Sequence, residues 1–558
     1  MIKNIHAGKG DIFRHPMLLT VNAAVPQLTM RDFTVKASSA SAKLSGKCGD
    51  LLLNGKLTSD YAGFTRYTIT VKALKDSALD EFKIELPVVD SDFVSRTDGS
   101  WSNVGSLALN EIKNFTSKDF YDNIMLGTID RGVSFFLSRL EPASKRKFGR
   151  SWLYVDKNTM RVNLVGEKIR LKAGESKVFD FAICAFPYRP AENNWRKLRF
   201  RAGKNSNLDL VWQTSSMFKY AGSLAVSNND KYMKDYLSKK NGGYRLFYQC
   251  PPYILEKISQ WSFFRDQWQA LPSRSYNFPP FGKLTKGDFR SRLWQDLYIK
   301  ELVNMMKSNP WDGVYYDCFG TDIFTENGEH SNPVFELRDF HERIYNAQRL
   351  KDPRSITIVH AGADQGNTMC VYANVVLMGE QYRAEFYNNT YFNDFMSMDR
   401  FRFENASNIG PDRMILPQYR QVEKTESPKV STHLSGMAIL HCLMMYPNFI
   451  HSATELSIRD RMYAFGLTDA DFIGYWQQNK PQIKTGDKDV YASYFDKKSG
   501  SFITVLNYSK NQKSVKLTLP FAYKKAIIFD PVTQTETVYN GQAITLESAM
   551  AKFLTVTK

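Results

Sequence analysis

Cysteine is scarce in this sequence and scattered. The six, Cys48, Cys184, Cys250, Cys318, Cys370 and Cys442, form no C-x-x-C and have no histidine at metal-ligand spacing. Neither a zinc site nor a disulfide scaffold is expected. The eight histidines make no H-x-H or H-E-x-x-H, so a metal-dependent hydrolase is not supported and neither metal nor cofactor is expected. No G-x-G-x-x-G or Walker sequence follows an expected strand, which argues against nucleotide chemistry. No run approaches the ~20 apolar residues of a membrane helix, so no membrane insertion is expected. The opening "MIKNIHAGKGDIFRHP" lacks the apolar core of a signal peptide. A cytoplasmic location follows for the chain as it stands, and a periplasmic or secreted one if a leader has been removed.

What is present is a large, foldable chain. Its 558 residues are 43% hydrophobic and 23% charged, enough for about three units at the usual ~150 residues per domain. Lysine and arginine number 74 against 57 acidic residues, a net charge of +17. Such a balance suits a polyanionic partner, yet "SKRKFGR" and "KKAII" are short and isolated and no nucleic-acid signature accompanies them. Nucleic acid is therefore not an expected partner. Aromatics reach 14%, many in polar settings such as "QWSFFRDQW" and "EQYRAEFYNNTYF". Ordinary packing and stacking platforms for sugar rings both remain open for them.

The hydrophobic period changes twice along the chain. Residues 1–204 alternate with period two in "FTRYTITVKAL", "EFKIELPVV", "GVSFFLSRL" and "KVFDFAICAFP", predicting an N-terminal β-sandwich. From 205 to 482, short apolar runs alternate with amphipathic helical stretches. "YRLFYQC", "DGVYYDCFG", "SITIVHAG", "ANVVLMGEQY" and "RMILPQYR" read as strands, interleaved with helices such as "PVFELRDFHERIYNAQRLK". That alternation predicts a (β/α)8-type barrel. Residues 483–558 return to β, with turns at the 8–12 residue spacing of a small antiparallel sandwich. The expected fold is thus multidomain, α/β plus β, with no low-complexity linker between units.

In such a barrel the chemistry projects from the C-terminal ends of the strands. Within "NPWDGVYYDCFG", side-chain alternation puts Gly313, Tyr315 and Asp317 on one face and Asp312 and Tyr316 on the other. Asp312 becomes a turn residue, and Asp317 sits at the catalytic end. Two strands later, "VVLMGEQYR" stops at Gly379 and delivers Glu380, a carboxylate that is costly after a buried strand unless paired or employed. Between them "ITIVHAGADQG" offers His360 as a hydrogen-bonding residue and Asp364 as a reserve carboxylate. Two carboxylates on separate strands suffice for glycosidic cleavage, one attacking or supporting the anomeric carbon and the other donating a proton.

A β-sandwich, then a barrel with a "DGVYYDC" strand and a strand-ending glutamate, then a β-sandwich, resembles retaining glycoside hydrolases of supersandwich–barrel–sandwich layout. It is similar in style to glycoside hydrolase family 129 and its relatives. The resemblance implies Asp317 as nucleophile, Glu380 as acid/base, and a carbohydrate substrate. Family 123 is a second resemblance; its members use the substrate's acetamido group, oriented by an adjacent Asp-Glu pair. Here the adjacent Asp80-Glu81 lies in the N-terminal β region and not at a barrel strand end. Recognition groups would come from Tyr253, Trp261 and Arg265 after "YRLFYQC", and from Tyr316, His360, Asp364 and Arg383 near the carboxylates. Arginines could fork onto an acidic or sulfated glycan. A non-catalytic carbohydrate-binding protein on a degenerate barrel, and a substrate-assisted hexosaminidase, are the competing readings.

Overall fold

The computed structural model describes residues 6–7, 10–97, 104–110, 114–119, 121–143, 149–190, 199–200, 209–212, 244–249, 251, 253–270, 275–278, 282–308, 311–317, 323–324, 330–362, 370–416, 427–445 and 452–558. Cys250, Cys318 and Asp364 lie outside them. Period-two alternation in the first part of the chain becomes a nine-stranded antiparallel sheet facing a five-stranded one. Strand Thr65–Ala73 buries every second residue, as the alternation requires. Val71, Phe135 and Phe181 from the larger sheet meet Phe82, Val155 and Val162 from the smaller in one apolar core.

The middle of the chain builds an eight-stranded sheet in chain order, and every described pairing in it is parallel. Its fourth, fifth and sixth strands are Gly313–Tyr316, Ile356–Gly362 and Val375–Met378. The fourth and sixth are buried throughout, which is why they read as continuous apolar runs. The first strand, Arg199–Phe200, and the last, Met444–Met445, lie beside each other. Helices Arg292–Ser308 and Val334–Lys351 follow the third and fourth strands and pack together. No described helix is long and apolar enough to cross a membrane.

Two boundaries differ from the sequence reading. Arg199–Phe200 already belongs to the parallel sheet although it falls within 1–204, and Asp471–Ile473 pairs with the C-terminal six-stranded sheet although it falls before 483. Both are short strands in which hydrogen bonding across the sheet, not a local pattern, decides membership.

The flanking β units are not loosely tethered. Arg338, buried on helix Val334–Lys351, pairs with Asp60 of the N-terminal unit at 2.5 Å and lies over the Phe64 ring. The Ser106 amide donates to Glu404 Oε1 on helix Met398–Asn405 at 3.0 Å. On the other side, helix Pro428–Leu440, buried almost throughout, lies against the C-terminal strands. A methyl at Gly436 would strike Ala551 Cβ at 2.5 Å and Leu506 at 2.9 Å.

Candidate active site

Strand parity delivers the first carboxylate. Gly313 leaves no room for a side chain against the Ile356 carbonyl, so the fourth and fifth strands run close at their N-terminal ends. From there the alternation sends Tyr315 and Asp317 to one side and Tyr316 to the other. The Asp317 amide still donates to the Gln249 carbonyl of the third strand at 2.8 Å, which fixes the residue as the strand ends. Asp312 lies at the opposite end, where its carbonyl accepts from Ile356.

The second carboxylate depends on a glycine. Gly379 has φ +117°, and a Cβ there would sit 2.6 Å from the Leu416 carbonyl. Only glycine fits this turn. It swings the chain from the sixth strand into the short 3-10 helix Glu380–Arg383, while the Gly379 amide donates to Gln381 Oε1 at 2.7 Å. Beneath Glu380, the Tyr382 hydroxyl donates to Glu404 Oε2 at 2.7 Å and accepts from Asn405 at 2.8 Å. Glu404 also takes Arg400 Nε at 2.8 Å and the Ser106 amide. The turn is thus tied to the N-terminal unit by a fully buried carboxylate.

His360 stands between the two carboxylates. Its Nδ1 donates to Asp317 Oδ1 at 2.7 Å, with the Tyr315 hydroxyl 3.0 Å from the same nitrogen, and its Nε2 lies 3.6 Å from Glu380 Oε2. The imidazole is 3% exposed while Asp317 and Glu380 are 15% and 12% exposed, so the ring is sealed and both acids reach solvent. Burial acts to lower the pKa of His360. The charge of Asp317 and its hydrogen bond, joined by the charge of Glu380, outweigh burial and raise it above the ordinary value. Adding the ring's own width to the two contacts bounds the Asp317–Glu380 oxygen separation at roughly 8.5 Å. That bound admits the ~5 Å of retaining pairs and much of the ~6.5–9.5 Å of inverting ones.

The other expected recognition residues are placed less uniformly. Tyr316 is corrected: it is fully buried on the helix side, its hydroxyl donating to Gln348 Oε1 at 3.0 Å, because its parity is opposite to that of Asp317. Trp261 and Arg265 sit on helix Trp261–Trp268, the former half-buried on the apolar core and the latter exposed beside Asp266 at 3.0 Å. No described contact brings them to the carboxylates. Tyr253 starts a strand of a small antiparallel sheet inserted after the third parallel strand, and Arg383 is half-buried at the end of the Glu380 turn. Tyr315 was not singled out by sequence, although its parity with Asp317 was the signal. Glu404 and Tyr382 were missed because nothing local marks them.

Residues 457–545 match the family described as Glycoside hydrolase 123, C-terminal domain. The chain is a glycoside hydrolase. No curated protein matches it. Among solved structures it is similar to the GH36 α-galactosidase AgaA from Geobacillus stearothermophilus, at 10% identity and a TM-score of 0.48, over 98% of this chain and 90% of that one. The α-galactosidase from Lactobacillus brevis is similar at 11% identity and a TM-score of 0.46, over 99% and 89%. A maltogenic α-amylase from Thermotoga neapolitana is similar at 12% identity and a TM-score of 0.41, over 58% and 81%. The matched family segment begins in helix Ser452–Phe465 and runs through most of the C-terminal β unit, well away from Asp317 and Glu380 in the chain.

Proposed function

We propose that this glycoside hydrolase cleaves its substrate with Asp317 and Glu380, on eight parallel strands that close into a (β/α) barrel. The reading rests on one observation, two partly exposed carboxylates at strand ends with a sealed histidine between them. Asp317 attacks the anomeric carbon, the bond to the leaving oxygen breaks, and Glu380 gives that oxygen its proton. In the second half, Glu380 takes a proton from water as the water displaces Asp317, so the anomeric configuration is retained.

His360 supplies what this scheme needs. A proton on Nε2 with Glu380 ionised, and a proton on Glu380 with the imidazole neutral, are states of equal net charge. At 3.6 Å the Nε2 and Glu380 Oε2 atoms stand at ion-pair distance, so the two groups titrate as a coupled pair. With Asp317 held by Nδ1–H, the attacking oxygen keeps a fixed orientation.

Asp317→Ala and Glu380→Gln should each lower turnover by several orders of magnitude in a protein that still melts cooperatively. Azide should rescue the Asp317→Ala enzyme as a glycosyl azide of inverted configuration. Near wild-type turnover in either variant would remove that residue from the mechanism. The family 123 resemblance implies a second reading, attack by the substrate's own acetamido oxygen with Asp317 orienting it. It requires 2-acetamido sugars, so turnover of a matched 2-hydroxy substrate would reject it. Substrates carrying sulfate or carboxylate belong in the same screen, given the +17 charge.

A further inference from the structure

Away from the carboxylates, a cleft of about 800 Å³ opens where three parts of the chain meet. Turns of the N-terminal unit supply Asp92 and Asp130, helix Met398–Asn405 supplies Arg402, and the loop after strand Asp471–Ile473 of the C-terminal unit supplies Trp476, Gln478 and Asn479. None of its lining residues is Asp317, His360 or Glu380. The volume falls within the ~300–1,000 Å³ of small-ligand sites.

Three properties restrict what it can take. The first is a rigid aromatic wall. Trp476 stacks on His441 at 5.6 Å and 16°, meets Tyr475 edge-on at 4.9 Å, and closes over Gly474, where a Cβ would lie 2.7 Å from the ring. The indole is therefore held before any ligand arrives, and little side-chain freedom is lost on binding. The second is a run of three primary amides, Gln477, Gln478 and Asn479, each offering donors and an acceptor side by side. Gln477 Oε1 is engaged by the Gly474 amide at 3.1 Å, while Gln478 and Asn479 are exposed.

The third is charge. Asp90, Asp92, Asp130 and Asp399 line the cleft against Arg131, Lys157, Arg402 and Lys480, four acids and four bases. On a chain of net charge +17 this is a locally neutral surface, unsuited to concentrating an anion. It is suited to an uncharged ligand with an apolar face and many hydroxyls, which carboxylates accept from and guanidinium groups donate to.

We propose that this cleft is a second carbohydrate-binding site, taking a neutral sugar ring against Trp476 and separate from the catalytic strand ends. It can hold a distant part of a glycan whose cleaved bond lies at the barrel, and binding there does not require the catalytic assignment to be right.

The test uses the full chain carrying Asp317→Asn and Glu380→Gln, titrated by calorimetry with neutral gluco-, galacto-, manno- and xylo-configured tetrasaccharides and with a sulfated galacto-tetrasaccharide. At least one neutral tetrasaccharide should bind, and Trp476→Ala should weaken it about tenfold or more. Because Trp476 also packs on His441, Gln478→Ala with Asn479→Ala gives an independent arm on exposed side chains, expected to weaken binding several-fold. Absence of binding by every neutral tetrasaccharide at millimolar concentration would overturn the proposal. So would binding that both sets of variants leave unchanged, or binding confined to the sulfated probe. Catalytic failure appears separately, as loss of hydrolysis by the unmodified enzyme.

Discussion

Two regions of this molecule bury a histidine completely and use it in opposite ways. At the strand ends, His360 contacts two carboxylates, and its pKa rises above the ordinary value despite burial. At the seam with the C-terminal unit, His433 accepts from the Phe392 amide at 3.0 Å and donates to the Ala549 carbonyl at 2.8 Å, and burial lowers its pKa to about 4. His441, which caps the C-terminus of the same buried helix, is lowered to about 3. The depth is the same and the neighbours are not. Carboxylates raise the pKa of a buried imidazole against burial, whereas backbone groups that want one donor and one acceptor hold it neutral.

The largest expected effect comes from removing one side of that contrast. Asp317→Asn takes away the charge that outweighs burial, so the pKa of His360, followed by NMR titration of its ring protons, should fall. Turnover should fall with it by several orders of magnitude. A pKa that stays raised would mean that Glu380 alone suffices.

The seam comes next. A histidine depressed from 6.5 to about 4 leaves the native state binding fewer protons than the unfolded chain between those values. Its stabilising effect is complete above about pH 6.5 and is lost as pH falls through 4, roughly 3 kcal/mol for His433. Urea unfolding at stepped pH should show this loss. His433→Gln, which can keep one acceptor and one donor, should flatten that part of the curve.

A smaller effect is expected from Gly436→Val in the same seam. Overpacking against Ala551 and Leu506 should cost about 1–3 kcal/mol and lower the melting temperature, with turnover per folded molecule unchanged. The smallest is a shift along the pH axis. His360 has the opposite sign to His433: its stabilising bridge is complete below about 6.5 and is lost as pH rises through the raised folded pKa. The alkaline limb of activity should follow that loss, and His360→Asn should move the limb to lower pH.

The placement of Asp317 and Glu380 at strand ends was legible because two short-range rules reach it. Alternation along Gly313–Asp317 and the polarity of parallel strands selected Asp317 over Asp312, and the Gly379 turn selected Glu380. The same alternation applied to Tyr316 points it away from the site, as the Gln348 bond confirms. What could not be read was anything held by distance in the chain. Glu404 joins Ser106, 298 residues away, to Tyr382, 22 residues away, and no local pattern encodes either partner. The cleft at Trp476 has the same cause, since its walls come from three separate parts of the chain.

The Ser106–Glu404 contact also bears on how such an enzyme can be re-engineered or can have been assembled. The parallel-sheet unit transplanted onto a foreign β-sandwich would carry Glu404 without the Ser106 amide, leaving a buried carboxylate short of a donor directly beneath the Glu380 turn. The N-terminal unit and the Glu380 turn are therefore linked through one buried carboxylate. The C-terminal unit meets the middle of the chain through apolar packing and through polar contacts of its own, among them His433 with the Ala549 carbonyl and the Tyr508 hydroxyl with the Met396 carbonyl.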